Sequence, residues 1–260
     1  MRRELLFDPL LLLERIGEIC AQKRRLRKLQ KTPARSLNRY HIDSLELLEL
    51  LKSPKPIVVF DVGANVGTWT VLAKSIHPTC EVHAFEPIEQ HHPAFINETK
   101  GFDHVFLHPI GLGSSVTRKT MKIASTSDAS SFLSLTEEGK SQWNLKTVGE
   151  QQLEIYPLDD WCARKNLPMP DLIKMDVQGY ELEVLKGAHE CLKNATAVLT
   201  EVSFIEFYQD QCLFSSIVEH LRKYGYELHA LGFGTPLGKR LFQTDALFVQ
   251  SKTSKCEIAI

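Results

Sequence analysis

An α/β fold, with a mostly parallel sheet covered by helices on both faces, is what this 260-residue sequence predicts. Three observations carry that reading. From residue 57 onward, short apolar runs alternate with helical stretches, the rhythm of βαβ crossovers. The run "VVFDVGANVG" (residues 58–67) joins such a strand to a helix through two glycines four residues apart. Two last runs, residues 226–231 and 241–249, flank the glycine-rich "GFGTPLGKR" and read as an antiparallel hairpin on one edge of the sheet.

Residues 1–54 read as a helical N-terminal extension and 55–260 as the ligand-binding domain. Asp8 and Pro9 make a helix start, after which Leu12, Ile16, Ile19 and Leu26 recur at helical spacing. A second helix starts near Asp43, which forms a capping-box pattern with Glu46, and stops before Pro54. Between the two lies "KRRLRKLQK", a solvated helix face or, alternatively, an anion-binding or membrane-surface segment. Strands are expected at residues 57–61, 81–85, 105–107, 172–176 and 197–202, and helices at 68–76, 91–100, 181–191 and 213–224. Residues 111–152 break the rhythm. They are rich in Ser and Thr and read as an insertion near the sheet's C-terminal edge, with at most a few short strands.

A formal net charge of −1 provides no global field to recruit nucleic acid or an anionic membrane, so any such contact has to be local. The six cysteines are scattered without a C-x-x-C pair, which suggests free thiols and a reducing compartment. The N-terminal "MRRELLFDPLLLLERIGEIC" superficially resembles a signal peptide, but Glu4, Asp8 and Glu14 interrupt it. No apolar run approaches the ~20 residues that span a bilayer. These features read as a soluble, cytoplasmic protein.

Ligands of such sheets bind beyond the C-terminal strand ends, where Asp61 sits. Gly63 and Gly67 allow a sharp turn, and the helix opened by Thr68 directs its first amides at an anionic group. Up to this point a dinucleotide and S-adenosylmethionine fit equally. The dinucleotide fingerprint G-x-G-x-x-G is absent, as is the G-K-[ST] of a phosphate loop. Glu86 ends the next strand in "EVHAFEP", about 20 residues on, where an acid binds ribose hydroxyls. Acid, glycine turn and second acid together favour S-adenosylmethionine.

"PDLIKMDVQGYELEVLKGA" (residues 170–188), with "VVFDVGANVG", "HAFEP", "LDDW", "TEVSF" and "QTDALFV", resembles the FkbM family of S-adenosylmethionine-dependent methyltransferases. The resemblance runs from about residue 57 to 249. It implies the Rossmann-like class I methyltransferase sheet of seven strands, the last antiparallel. It also implies that Asp61, Gly63, Asn65 and Gly67 line the methionine end of the cofactor and that Glu86 holds the ribose. The acceptors it implies are hydroxyls of sugars, macrolides and other secondary metabolites. One departure stands out: the family commonly has D-V-E-G where this chain has Asp176-Val177-Gln178-Gly179.

An alcohol acceptor needs a base. Asp176, at a strand end before a glycine turn, is the first candidate, as base or as ligand of a Mg²⁺ ion that acidifies the hydroxyl; otherwise it caps the following helix. Glu201, at the end of the next strand, is the second, or else a rim carboxylate. His108 has the right intrinsic pKa but also suits packing. Ser130 and Ser131 are candidates for binding the cofactor carboxylate or substrate hydroxyls, or else belong to a plain Ser-rich loop. Asp245 divides between a strand bend and the site, Trp161 reads as core, and His91 and His92 read as an exposed helix start. "DVQG" in place of an N/D-P-P-Y-like motif argues against nucleobase acceptors. A small-molecule or glycan acceptor and a homodimer through the N-terminal helices are the expected partners. A non-catalytic cofactor-binding module is the alternative, with Gln178 in its favour.

Overall fold

The computed structural model describes residues 9–34, 42–51, 53, 55, 57–232 and 241–251. Its strands are β1 (Val58–Val62), β2 (Glu81–Phe85), β3 (Val105–His108), β4 (Gly111–Leu112), β5 (Thr117–Ala124), β6 (Thr147–Tyr156), β7 (Leu172–Met175), β8 (Ala197–Ser203), β9 (Tyr226–Leu231) and β10 (Gln243–Gln250). Its helices are α1 (Pro9–Gln30), α2 (Ile42–Glu49), α3 (Thr68–Ile76), α4 (His92–Thr99), α5 (Glu137–Trp143), α6 (Leu158–Lys165), α7 (Glu181–Lys186), α8 (His189–Asn194) and α9 (Phe214–Arg222). Asp8, Pro54, Cys256 and the connection from residue 233 to 240 lie outside the described residues.

Seven strands form one sheet in the order β3-β2-β1-β7-β8-β10-β9. β10 runs antiparallel to both of its neighbours, and the remaining pairings are parallel. This is the Rossmann-like sheet with an antiparallel last strand that the sequence predicts. Strand order reverses between β1 and β7, which makes the crevice beyond their C-terminal ends the natural ligand site.

β1 is apolar on both faces because both are covered. Val59 joins Leu45, Leu48 and Leu72 of α2 and α3 in one core, whereas Phe60 and Val62 join Leu158, Val184, Leu185 and Ile217 of the opposite layer. α2 is thus part of the sheet's own packing. Of the four residues expected to mark the apolar stripe of α1, only Leu26 packs against this core, beside the fully buried Leu29. Leu12, Ile16 and Ile19 face solvent.

Three local expectations are revised. Asp43 and Glu46 do not form a capping box; α2 begins at Ile42, and both acids bind Arg25 of α1, with Nη2 to Asp43 Oδ1 and to Glu46 Oε2 at 2.6 Å each. The helix expected over 181–191 breaks at Gly187 and Ala188. A side chain on Gly187 would collide with the Gly113 carbonyl, and Asp159 of α6 caps the restart by accepting from the Glu190 and Cys191 amides at 2.7 and 3.0 Å. The insertion holds longer strands than expected: β5 and β6 pair antiparallel over eight and ten residues and, with β4, form a second sheet of three strands. β6 is mostly solvent-exposed, so few of its positions needed to be apolar and the period-2 signal was weak.

Candidate active site

The turn after β1 is shaped by three left-handed residues: Gly63 (φ 77°), Asn65 (φ 49°) and Gly67 (φ 88°). Gly63 also has no room for a side chain, because a Cβ there would overlap the Asp176 carbonyl oxygen. Its amide and that of Ala64 donate to the Phe85 carbonyl at 3.0 and 3.1 Å, tying the turn to the end of β2. There Glu86 accepts from the Asn65 amide through Oε2 and from the Ile88 amide through Oε1, each at 2.8 Å. Glu86 is 4% exposed, and its remaining lone pairs face an open cleft.

Gly63, Asn65 and Glu86 line the cleft, Ile88 and Ile110 supply apolar wall, and Asp176 and Gln178 stand at its β7 side. Asn65 Oδ1 and His91 Nδ1 are buried there with no hydrogen-bond partner. His91 Nδ1 lies 3.3 Å from Glu86 Oε1 but is not aligned to donate, and His92 Nε2 donates to the Glu86 carbonyl at 2.8 Å. The pair expected as an exposed helix start therefore packs around Glu86. Two orphaned polar atoms beside a carboxylate and an apolar wall fit a ligand carrying hydroxyls, an amine and a flat ring.

Asp61 and Ser131, both expected in the lining, sit behind it. Asp61 is wholly buried; its Oδ2 accepts from Thr70 of α3 at 2.6 Å and its Oδ1 lies 3.1 Å from Lys174 Nζ. Lys174, which sequence reasoning missed, is its register partner on β7 and also donates to the Gly63 carbonyl at 3.3 Å. Burial opposes the Lys174 charge, but Asp61, Asp176 and Asp245 prevail and raise its pKa. Its signal was a lysine inside the apolar strand "LIKM". Ser131 is 1% exposed, donates to the Gln178 carbonyl at 2.7 Å and accepts from the Leu133 amide at 3.0 Å. Ser130 and Asp128 face the cleft instead. Thr68 opens α3, and its side chain is not part of the cleft wall.

His108 is not placed to act as a base. Its ring stacks on Phe85 and His83, and burial, reinforced by the neighbouring His83 and Lys165, lowers its pKa to about 4. Trp161 donates to its Nδ1 at 3.2 Å, so the ring proton is on Nε2, 3.0 Å from His83 Nδ1; His83 in turn donates to Glu81 at 2.8 Å. This is a directed structural chain, and Trp161 is core as expected.

Acids gather where Asp176 follows β7 and where Glu201 of β8 and Asp245 of β10 pair across the sheet. Gln178 (φ 53°) donates from one amide nitrogen to Asp176 Oδ1 at 2.7 Å and to Glu201 Oε2 at 3.4 Å, and Tyr208 Oη lies 2.9 Å from its oxygen. The other oxygen of Glu201 accepts from Gln243 at 2.9 Å, and Ser44 of α2 donates to Asp245 at 2.6 Å. Burial, then Asp176 and Asp245, push the Glu201 carboxyl well above its usual range. Burial raises Asp245 to about 6 and Glu181, which accepts from the Val177 and Gly179 amides, to about 7. Among the described residues no three of His, Cys, Asp and Glu converge to hold a metal ion, and the Gln178 nitrogen occupies the bridging position between Asp176 and Glu201. The expected Mg²⁺ finds no support.

The raised carboxyls set a pH dependence. A carboxyl whose folded pKa exceeds its unfolded value stabilises the fold below the unfolded pKa, and that contribution is lost as pH rises through the folded one. For Asp245 and Glu181 the loss falls as pH climbs from about 4 past 6 and 7. Glu181→Gln keeps the oxygen that accepts from the two amides and removes the ionisation. Thermal melts should show the variant gaining stability at about pH 8 and little at about pH 5; an equal gain at both would contradict this assignment.

Residues 61–228 match the model of the methyltransferase FkbM domain. The chain belongs to the FkbM methyltransferase family. It is similar to the 2-O-methyltransferase NoeI of Sinorhizobium fredii, 27% identical over 184 residues that cover 68% of this chain and 75% of that protein. It is also similar to the hexuronic acid methyltransferase AglP of Haloferax volcanii, 26% identical over 160 residues, 62% of this chain and 61% of the relative. Among solved structures, magnesium protoporphyrin IX methyltransferase (ChlM) from Synechocystis PCC 6803 aligns with a TM-score of 0.48 at 11% identity, over 88% of this chain and 90% of that one. The FkbM match contains the glycine turn, Glu86, Asp176 and Glu201 and leaves α1, α2 and β10 outside it.

Proposed function

We propose that this FkbM methyltransferase moves the methyl group of S-adenosylmethionine to a hydroxyl of a sugar or glycan, with Asp176 as general base. The observation that carries the reading is the placement of Asp176: at the cleft, across from the glycine turn, and held through one oxygen by Gln178. The two relatives named for 2-O- and hexuronic acid methylation support the acceptor class.

Bound cofactor supplies an electrophilic methyl group on a sulfonium. Glu86 is positioned to accept from ribose hydroxyls, and Asn65 Oδ1 and His91 Nδ1 are free to bond the cofactor's polar ends. Asp61 and Lys174 act from beneath, holding the turn to α3 and β7. Alignment of acceptor oxygen with the methyl group contributes up to ~7–11 kcal/mol. Asp176 takes the hydroxyl proton through the oxygen that Gln178 leaves open, worth ~10²–10⁴-fold. Burial and then Asp176 and Asp245 oppose the ionisation of Glu201, which stands beside the base and shares the Gln178 amide with it. Gln178, the residue that favoured a non-catalytic module, is a donor to both acids, which supports a working acceptor site.

Calorimetric titration with S-adenosylhomocysteine tests the cofactor half. One saturable site is expected in the wild type, and Glu86→Ala should weaken it by about tenfold or more, the loss of hydrogen bonds to a charged acceptor. Unchanged affinity in Glu86→Ala would remove Glu86 from the binding site. A screen of glycosides with free hydroxyls then tests the acceptor.

A further inference from the structure

We infer that the outer face of α1 docks on a bilayer surface rich in anionic phospholipid. Leu12, Leu13, Ile16 and Ile19 are 46%, 63%, 48% and 42% exposed, a concentration of large apolar side chains beyond the scattered ones expected of a soluble surface. Spacings of three and four residues continue the same face into Lys23, Arg24, Arg27 and Lys31, all exposed. None of these four cations is paired with an acid among the described residues, and the series of three- and four-residue steps that joins them to Leu12, Ile16 and Ile19 contains no acid. The inner face is already committed: Arg25 binds Asp43 and Glu46, Lys28 binds Glu49, and Leu26 and Leu29 enter the core with α2.

Charge decides what fits the outer face. A second copy packed in parallel would set four cations beside four. Packed antiparallel about a two-fold axis, it would press each cationic half onto the partner's apolar half. A nucleic acid would satisfy the cations and leave the leucines and isoleucines in water. An anionic bilayer satisfies both halves, with apolar side chains in the acyl boundary and Lys and Arg among the headgroups. Such docking lies on the surface and does not span: no described helix is long and apolar enough to cross a membrane. Each Lys or Arg near an anionic leaflet changes the partition by roughly fivefold. The net charge of −1 is no obstacle, since that attraction falls off within a Debye length.

Vesicle flotation of the full chain tests the inference. Binding to vesicles of phosphatidylcholine with phosphatidylserine should exceed binding to phosphatidylcholine alone by at least about tenfold and should fall with added salt. Lys23→Glu with Arg27→Glu, and separately Ile16→Ser with Ile19→Ser, should each lower flotation by about tenfold or more. Both pairs are solvent-exposed, so S-adenosylhomocysteine affinity, read in the same preparations, should be unchanged and so report an intact fold. Equal partition onto neutral vesicles, or undiminished flotation in either double variant, overturns the inference. So does absence of flotation with a concentration-dependent dimer that the same substitutions dissociate, which assigns the face to a second copy.

Discussion

Asp176→Asn is expected to lower kcat by about two to four orders of magnitude while S-adenosylhomocysteine affinity stays within about twofold, the signature of a group used only in the transition state. The side chain keeps its size, and its amide remains within reach of the Gln178 partner position, so a large loss of cofactor affinity would instead mark Asp176 as part of the binding turn. Gln178 separates the two readings further. Gln178→Ala removes the donor that orients Asp176 and leaves KM for the cofactor largely intact, so kcat should fall alone. Gln178→Glu places three carboxylates within one hydrogen-bonding cluster with Asp176 and Glu201. The added negative charge opposes ionisation of the trio, so the acidic limb of the kcat–pH profile should move to higher pH. A pH profile unchanged in Gln178→Glu would show that Asp176 is not the titrating base.

Much of this site was legible in the sequence because its logic is local. A β-branched strand, an acid and two glycines at fixed spacing dictate a turn whatever packs around it, and Glu86 follows from the next strand end. What escaped depends on facing and register. Asp61 and Val59 share one face of β1, and that face is covered by α2 and α3, so Asp61 points into the interior. Both faces are covered, and nothing within residues 58–67 says which helices cover which. Lys174 becomes intelligible only once β1 and β7 are in register and set it opposite Asp61. His108, open between base and packing in the sequence, falls to packing for the same reason: Phe85, His83 and Trp161 arrive from β2 and α6 and enclose it. β6 is hard to read in the sequence because most of it is solvent-exposed, which leaves its apolar alternation thin.

Lys174→Met should destabilise the fold by about 3–5 kcal/mol in chemical denaturation, the cost of stranding a buried charge. Asp61 is wholly buried, and without Lys174 it retains, among the described residues, the Thr70 hydroxyl as its side-chain donor. Asp176 and Asp245 lose the same cation, so the deficit extends into the acceptor site. Pairing Lys174→Met with Asp61→Val removes both ends of the ion pair, and an apolar pair of similar volume is often neutral against a buried salt bridge. The double variant should therefore be more stable than Lys174→Met alone, a coupling that additive sites would not show. Its cofactor affinity should still be reduced, because Lys174 also donates to the Gly63 carbonyl and Asp61 anchors the glycine turn to α3 through Thr70. Stability recovered without affinity would separate the two duties of the pair. A loss below about 1 kcal/mol in Lys174→Met alone would mean that water reaches Asp61 and that the pair does not hold the turn.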